Sequence, residues 1–325
     1  MYVKANEWLE VIRAEYLRTF VRDGGASVKF VVPPVELGPE RLVEALRQMS
    51  QAEGYQFAFV DAARTKVQRI DAIFHEIARQ VDWDHLTCSY LSRMLAKNGY
   101  RCPESREDFR ISRLAELNHR DPGLLSAEMN SLLEKNVFRD YQMCMEYRLA
   151  MIRLCQAVLD PGNARPSFEV VGNWLTGTLR LVSEMKPALI FQKIAQHNAR
   201  HMLASLSHWT HCAGKSGLVV LVDISRCLIK KPYPAEPGDA GLYYSTAALL
   251  DVYEVLRECV DTTDEMEYGL MAVAAPPVFL QPDERRSVWR YDALRLRIWD
   301  EVRDEHRANP LSSLVRLAPE NGTQP

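Results

Sequence analysis

Three groups of residues have types and spacings that could do chemistry. The first is Pro33-Pro34-Val35-Glu36-Leu37-Gly38-Pro39-Glu40, which follows a short β-branched run. In phosphate-binding α/β proteins the N–H groups between the first strand and its helix cradle a phosphate, in a loop of pattern G-x-x-x-x-G-K-[ST]. Gly38 matches the last glycine of that pattern. Pro39 stands where the lysine would be and Glu40 where the magnesium-binding hydroxyl would be, and the prolines at 33, 34 and 39 each remove a donor. The second group is Asp223, which closes the apolar run Leu218 to Val222; a strand ending in an acid can hold magnesium through water. Ile224 follows, where a hydrolase of this design carries a water-activating Glu. The third is a set of arginines, Arg285, Arg286, Arg290, Arg295 and Arg297, which could touch a phosphate, a neighbouring subunit or DNA. Spacing also pairs them with Asp292, Asp300 and Glu301 along a solvated helix face.

Four of the eight histidines, His197, His201, His208 and His211, crowd into one segment. At ~100° per residue they fall on a single stripe of one helix. His197 and His201 have the i, i+4 spacing of a zinc pair but lack the Glu of H-E-x-x-H, so a polar packing or interface stripe is the competing reading. Ala213-Gly214-Lys215-Ser216 looks like the end of a phosphate loop, yet it follows a helix and precedes a strand, the wrong order; it reads as a glycine helix exit.

Periodicity places the elements that must carry these residues. Residues 5 to 20 form an amphipathic helix, Ser27 to Val32 a strand, 39 to 53 a helix opened by Pro39, Tyr55 to Val60 a strand, and 65 to 81 a helix. This helix and strand alternation predicts a parallel α/β sheet. From 82 to 212 the pattern is helical, broken at Gly99, Pro103, Asp121-Pro122-Gly123, Asp160-Pro161-Gly162 and Lys186-Pro187. Strands return at Leu218 to Val222 and Leu270 to Ala275, with a proline-rich loop at 232 to 242, a helix at 245 to 262 and an Arg-rich helix at 284 to 308. The expected organisation is an α/β domain formed by 1–81 and 213–317, a helical insertion at 82–212, and a tail at 318–325.

With 43 acidic and 40 basic side chains among 325 residues, the formal charge is −3, so no global field draws the chain onto nucleic acid or an anionic membrane. Seven scattered cysteines without a C-x-x-C pair point to a reduced, cytoplasmic setting, and no apolar stretch is long enough for a membrane span.

Several segments carry a resemblance: Glu7-Trp-Leu-Glu-Val11, Tyr16 through Val32, Lys186-Pro-Ala-Leu-Ile-Phe-Gln192, His197-Asn-Ala-Arg-His-Met202 and Tyr291-Asp-Ala-Leu-Arg-Leu-Arg-Ile298. From about residue 5 to 317 the chain resembles the BREX system ATP-binding domain family, P-loop proteins similar to AAA+ ATPases from bacterial anti-phage and methylation-associated defence systems. The resemblance implies a P-loop NTPase-like parallel sheet with a large helical insertion, ATP with magnesium as cofactor, and work within a complex of defence proteins. Under it Gly38 and Asp223 are the nucleotide- and magnesium-binding positions; Arg295 and Arg297, from the arginine set above, complete the candidate cofactor-binding residues. The lysine, hydroxyl and catalytic acid have no counterpart. The expectation is therefore a degenerate ATPase subunit acting through protein contacts, the alternatives being an active motor that forms homo-oligomers and a DNA-binding module.

Overall fold

The computed structural model describes residues 2–34, 38–230, 241–299 and 308–318. Two compact units emerge, one from residues 1–77 and 216–325, the other from 78–215. In the first, α1 (Ala5–Val11) runs on into a π-helical segment (Ile12–Phe20), followed by β1 (Ala26–Val32), α2 (Pro39–Ala52), β2 (Gln56–Asp61) and α3 (Ile70–Arg79). The second unit holds α4 (Trp83–Lys97), α5 (Ile111–Asn118), α6 (Pro122–Leu133), α7 (Met145–Leu159), α8 (Phe168–Thr176) and α9 (Ala199–Cys212). The chain then returns to the first unit with β3 (Leu218–Asp223), α10 (Thr246–Asp261), β4 (Gly269–Ala274), α11 (Asp292–Ile298) and the short β5 (Leu314–Arg316).

All strand pairs are parallel, in the order β2-β3-β4-β1-β5. The central strands β3 and β4 are buried at every position, as expected when helices cover both faces. Handedness dictates which helix covers which face. The chain steps from β1 toward β2 in one direction and from β3 to β4 in the other, and right-handed crossovers then put α2 and α10 on opposite faces. Packing agrees: Leu42, Leu46 and Met49 of α2 join Trp8, Ile12 and Leu17 over Val31, Val219, Leu221, Leu270 and Ala272. On the other face Phe30 stacks on Phe279, centroids 6.2 Å apart, and Phe279 meets Tyr253 of α10 edge-on at 5.8 Å.

Lys29 lies buried within β1, an unusual place for an ammonium group. Its Nζ donates to the Leu311 carbonyl at 2.7 Å and stands 4.4 Å from the Tyr16 ring centroid. The lysine thereby ties the 309–312 turn to the edge at which β5 adds.

In the helical unit, α7 is the centre: Tyr147, Ala150, Met151, Leu154 and Cys155 are wholly buried. Local signals set the helix ends. Asp82 caps α4 by accepting from His85 N at 2.9 Å, and Asp121 caps α6 through Gly123 N and Leu124 N, with Pro122 at the first turn where its missing N–H costs nothing.

Two expectations need correction. Over the described part of the Arg-rich helix expected at 284 to 308, residues 284–299 form a 3-10 turn (Val288–Arg290) followed by the two-turn α11. Asp300, Glu301 and most of the proline-rich loop lie outside the described residues. The C-terminal stretch also supplies β5, which pairs with β1 through Phe30↔Leu314, Val31↔Val315 and Val32↔Arg316.

Candidate functional site

The parallel sheet gathers the ends of β1, β2, β3 and β4 at one edge, where ligands of open α/β sheets bind. Asp61 ends β2 and Asp223 ends β3, and the two are register partners. Each folds the chain after it in the same way: Asp61 Oδ1 accepts from Ala63 N at 2.7 Å, and Asp223 Oδ1 accepts from Ser225 N at 2.8 Å. These are Asx turns, in which a short carboxylate replaces a backbone acceptor two residues on. Asp223 is buried, with 7% of its surface exposed. Burial raises its pKa and the neighbouring Asp61 charge adds to the rise, against the hydrogen bonds from Ser225.

Three further groups shape this edge. Tyr244, just before α10, places its hydroxyl within hydrogen-bond distance of the carbonyls of Ala62 (2.9 Å) and Thr65 (2.6 Å), with one proton to share between them, and so holds the turn after β2. Arg286, 5% exposed, spans the Cys227 carbonyl and the Tyr244 carbonyl, both at 2.6 Å. The chain leaving β4 is Ala275-Pro276-Pro277, with Ala275 N bonded to Val31 O at 3.0 Å, so it brings no polar side chain to the edge.

At the end of β1 the described residues are Pro33, Pro34 and then Gly38, which is the N-cap of α2. No side chain caps that helix, and Pro39 removes the first N–H. Glu40 in the first turn favours the helix dipole and opposes an incoming phosphate. Residues 35–37 of the expected loop lie outside the described residues.

Gly38 and Asp223 therefore share the carboxyl edge of the sheet. Arg295 and Arg297 do not join them. Arg297 forms ion pairs with Asp261 at the C-terminal end of α10, and α10, with 16 residues, spans about 24 Å from its start at the Asp223 edge. Arg295 bonds Asp292 at 2.9 Å and lies 4.7 Å over the Trp289 ring. Both arginines of the expected phosphate-contacting pair are thus engaged in local ion-pair and ring contacts, and Arg297 lies at the end of α10 away from Asp223.

In the helical unit the histidine stripe divides. His197 precedes α9 and meets Gln192 Oε1 at 3.3 Å, and His201 is exposed; neither belongs to a cluster of three metal-ligating side chains among the described residues. His208 turns the other way, toward Asp140 and Cys212. Gly214, at φ +101, exits α9, and Ser216 Oγ donates to the Glu53 carbonyl at 2.7 Å, a connection with no phosphate-loop geometry. A cleft of about 230 Å³ between α6 and α7 is walled by Asn130, Arg153, Gln156, Asp160 and Asn163, whose polar groups are bonded to one another or to backbone.

Sequence reasoning missed Asp61, although Tyr55 to Val60 is an apolar strand closed by that acid, the same signal that picked out Asp223. Comparisons with family models, with curated proteins and with solved structures find no match to this chain. None of the helices among the described residues is long and apolar enough to cross a membrane.

Proposed function

We propose that the chain is a subunit of a bacterial anti-phage defence complex, with an ATPase-like fold that has lost the groups needed for nucleotide turnover and works through protein contacts. The defence setting rests on the sequence resemblance alone. The loss of turnover rests on one observation: the edge that a P-loop reading requires is populated by two adjacent carboxylates and bounded by prolines. Strand order favours that reading, because β1 and β3 are separated only by β4, so the β1–α2 connection and Asp223 open on the same side. A triphosphate needs cations there to offset its charge. The 33–40 stretch offers no lysine and no hydroxyl, and Arg286 is spent on backbone carbonyls.

The test combines calorimetry with ATP and magnesium, a hydrolysis assay, and phage plating on the host strain that carries the gene. Expected results are no turnover, increased plating when the gene is deleted, and protection retained by Asp223→Ala. Turnover abolished by Asp223→Ala would establish an active motor instead. Unchanged plating on deletion would remove the defence role.

A further inference from the structure

The side chains of Asp140, His208 and Cys212 bring an oxygen, a nitrogen and a sulfur to one point of the helical unit, within 4.8 Å of one another. Local structure sets each in place. His208 and Cys212 are i and i+4 on the last turns of α9, so they share a face. Asp140 lies in the turn after the π-helical segment Glu134–Phe138, and its Oδ1 accepts from Gln142 N at 3.2 Å, leaving Oδ2 to face the histidine. Oδ2 stands 2.9 Å from His208 Nε2, and Cys212 Sγ stands 3.4 Å from the same atom.

That shared nitrogen decides between two chemistries. In a nucleophilic relay the thiol and the carboxylate sit on opposite nitrogens of the imidazole, so that one orients the ring while the other gives up its proton. Here both converge on Nε2, which carries at most one proton for two acceptors. The arrangement is that of three donors around a common cation. Tetrahedral zinc, bonded at about 2.0 to 2.3 Å, separates its ligands by roughly 3.3 to 3.8 Å. The Sγ to Nε2 separation of 3.4 Å falls inside that range and the Oδ2 to Nε2 separation of 2.9 Å falls below it, so entry of an ion needs the Asp140 to His208 distance to open by a few tenths of an ångström.

We propose that Asp140, His208 and Cys212 form a zinc site that clasps the 139–144 turn onto α9, with water as the fourth ligand. The donor set of thiolate, imidazole and carboxylate suits zinc and disfavours magnesium or calcium, which take oxygen alone. Access exists: His208 and Asp140 side chains are 13% and 19% exposed, enough for an ion and its water to enter. On binding, zinc takes the place of the Nε2 and thiol protons, which leave to solvent. Beside the site, the buried Tyr147 hydroxyl has no hydrogen-bond partner among the described residues, and the Cys144 and Cys212 thiols are near enough to influence its ionisation.

The full chain, stripped with a chelator and titrated with cobalt, should show the thiolate-to-cobalt charge-transfer band and the visible bands of four-coordinate cobalt, saturating at one ion per chain. Zinc should displace the cobalt and raise the melting temperature, because it binds the folded chain preferentially. His208→Ala should lose stoichiometric binding, Cys212→Ser should lose the charge-transfer band, and Cys144→Ser should retain both. A measurement on unaltered protein guards against misfolded variants: zinc should block alkylation of Cys212 while Cys102 alkylates as before. Absence of the cobalt bands, binding that survives both ligand variants, or a Cys212 that alkylates equally with and without zinc each overturns the proposal.

Discussion

Asp61 and Asp223 stand as register partners at the ends of two adjacent parallel strands, each holding its own following turn through an Asx hydrogen bond. Neighbouring carboxylates repel, and the more buried of the two bears the larger cost of its charge. Asp223 is that residue, and its raised pKa has burial as the first cause and Asp61 as a contributor. The same carboxylate that shapes the edge of the sheet thus works against its stability.

The sign of the pH effect follows. In the unfolded chain Asp223 ionises near its ordinary value of 3.8, whereas in the fold it holds its proton to higher pH. As pH rises from below that value the unfolded state loses the proton first, so stability falls until Asp223 ionises in the fold as well. Asp223→Asn keeps an oxygen for Ser225 N and removes the charge. Its melting temperature should exceed wild type near neutral pH and converge with it below the ordinary carboxylate range. Thermal melts across that range check this, and an Asn variant that is less stable at neutral pH would contradict it.

Tyr244 carries a different kind of load. Its hydroxyl has one proton and faces two buried carbonyls, Ala62 O and Thr65 O, while accepting from Val67 N at 3.3 Å. Tyr244→Phe leaves these backbone groups without that partner while preserving the ring. A loss of about 1 to 3 kcal/mol is expected. Urea denaturation should show the midpoint falling with an unchanged slope, since the surface exposed on unfolding is the same.

The surface arginines should behave in the opposite way. Arg297 and Asp261 are each about one-third exposed, and Asp261 keeps Arg257 as a second partner when Arg297 is removed. Arg297→Ala should cost less than about 1 kcal/mol. Arg295→Ala, which also gives up the contact with Trp289, should cost about 1 kcal/mol. Neither should alter nucleotide binding measured by calorimetry, and a clear loss in either would return that arginine to a phosphate-contacting role.

Much of the sheet was legible because β1 to β4 are short, almost wholly apolar runs, and their observed ends fall within a residue or so of the expected ones. β5 was not, because three residues with a single buried member carry no periodicity; it is a strand only because β1 offers an open edge. The π-helical continuation of α1 escaped for a related reason, since the spacing of Ile12, Tyr16 and Leu17 suits an α-helix as well. Asp223 was legible from the acid closing its strand. Asp140 was not, since it meets His208 across 68 residues of sequence, and only the packing of the turn against α9 brings them together. The histidine stripe was visible, but spacing alone could not say that His208 is the member that meets Asp140 and Cys212.

Arg286 offers the sharpest test of how the edge is held. The sequence sets it among five arginines of similar surroundings, yet it is 5% exposed, and its guanidinium bridges the carbonyl of Cys227 after β3 and that of Tyr244 before α10. Its own carbonyl accepts from the Tyr253 hydroxyl at 2.6 Å. Planar fork geometry is what allows one cation to serve two carbonyls on separate segments, and an ammonium group on a flexible stem cannot span them in the same way. Arg286→Lys should therefore lose at least one of the two bonds while keeping a positive charge in a buried place, a cost of about 1.5 to 3 kcal/mol. The loosened segments flank the turn after β2 through Tyr244, so hydrogen exchange at Ala63 and Thr65 should accelerate along with exchange at Cys227. Faster exchange confined to the surface of α11, with the β2 and β3 turns unchanged, would mean that Arg286 fills space without bracing the edge.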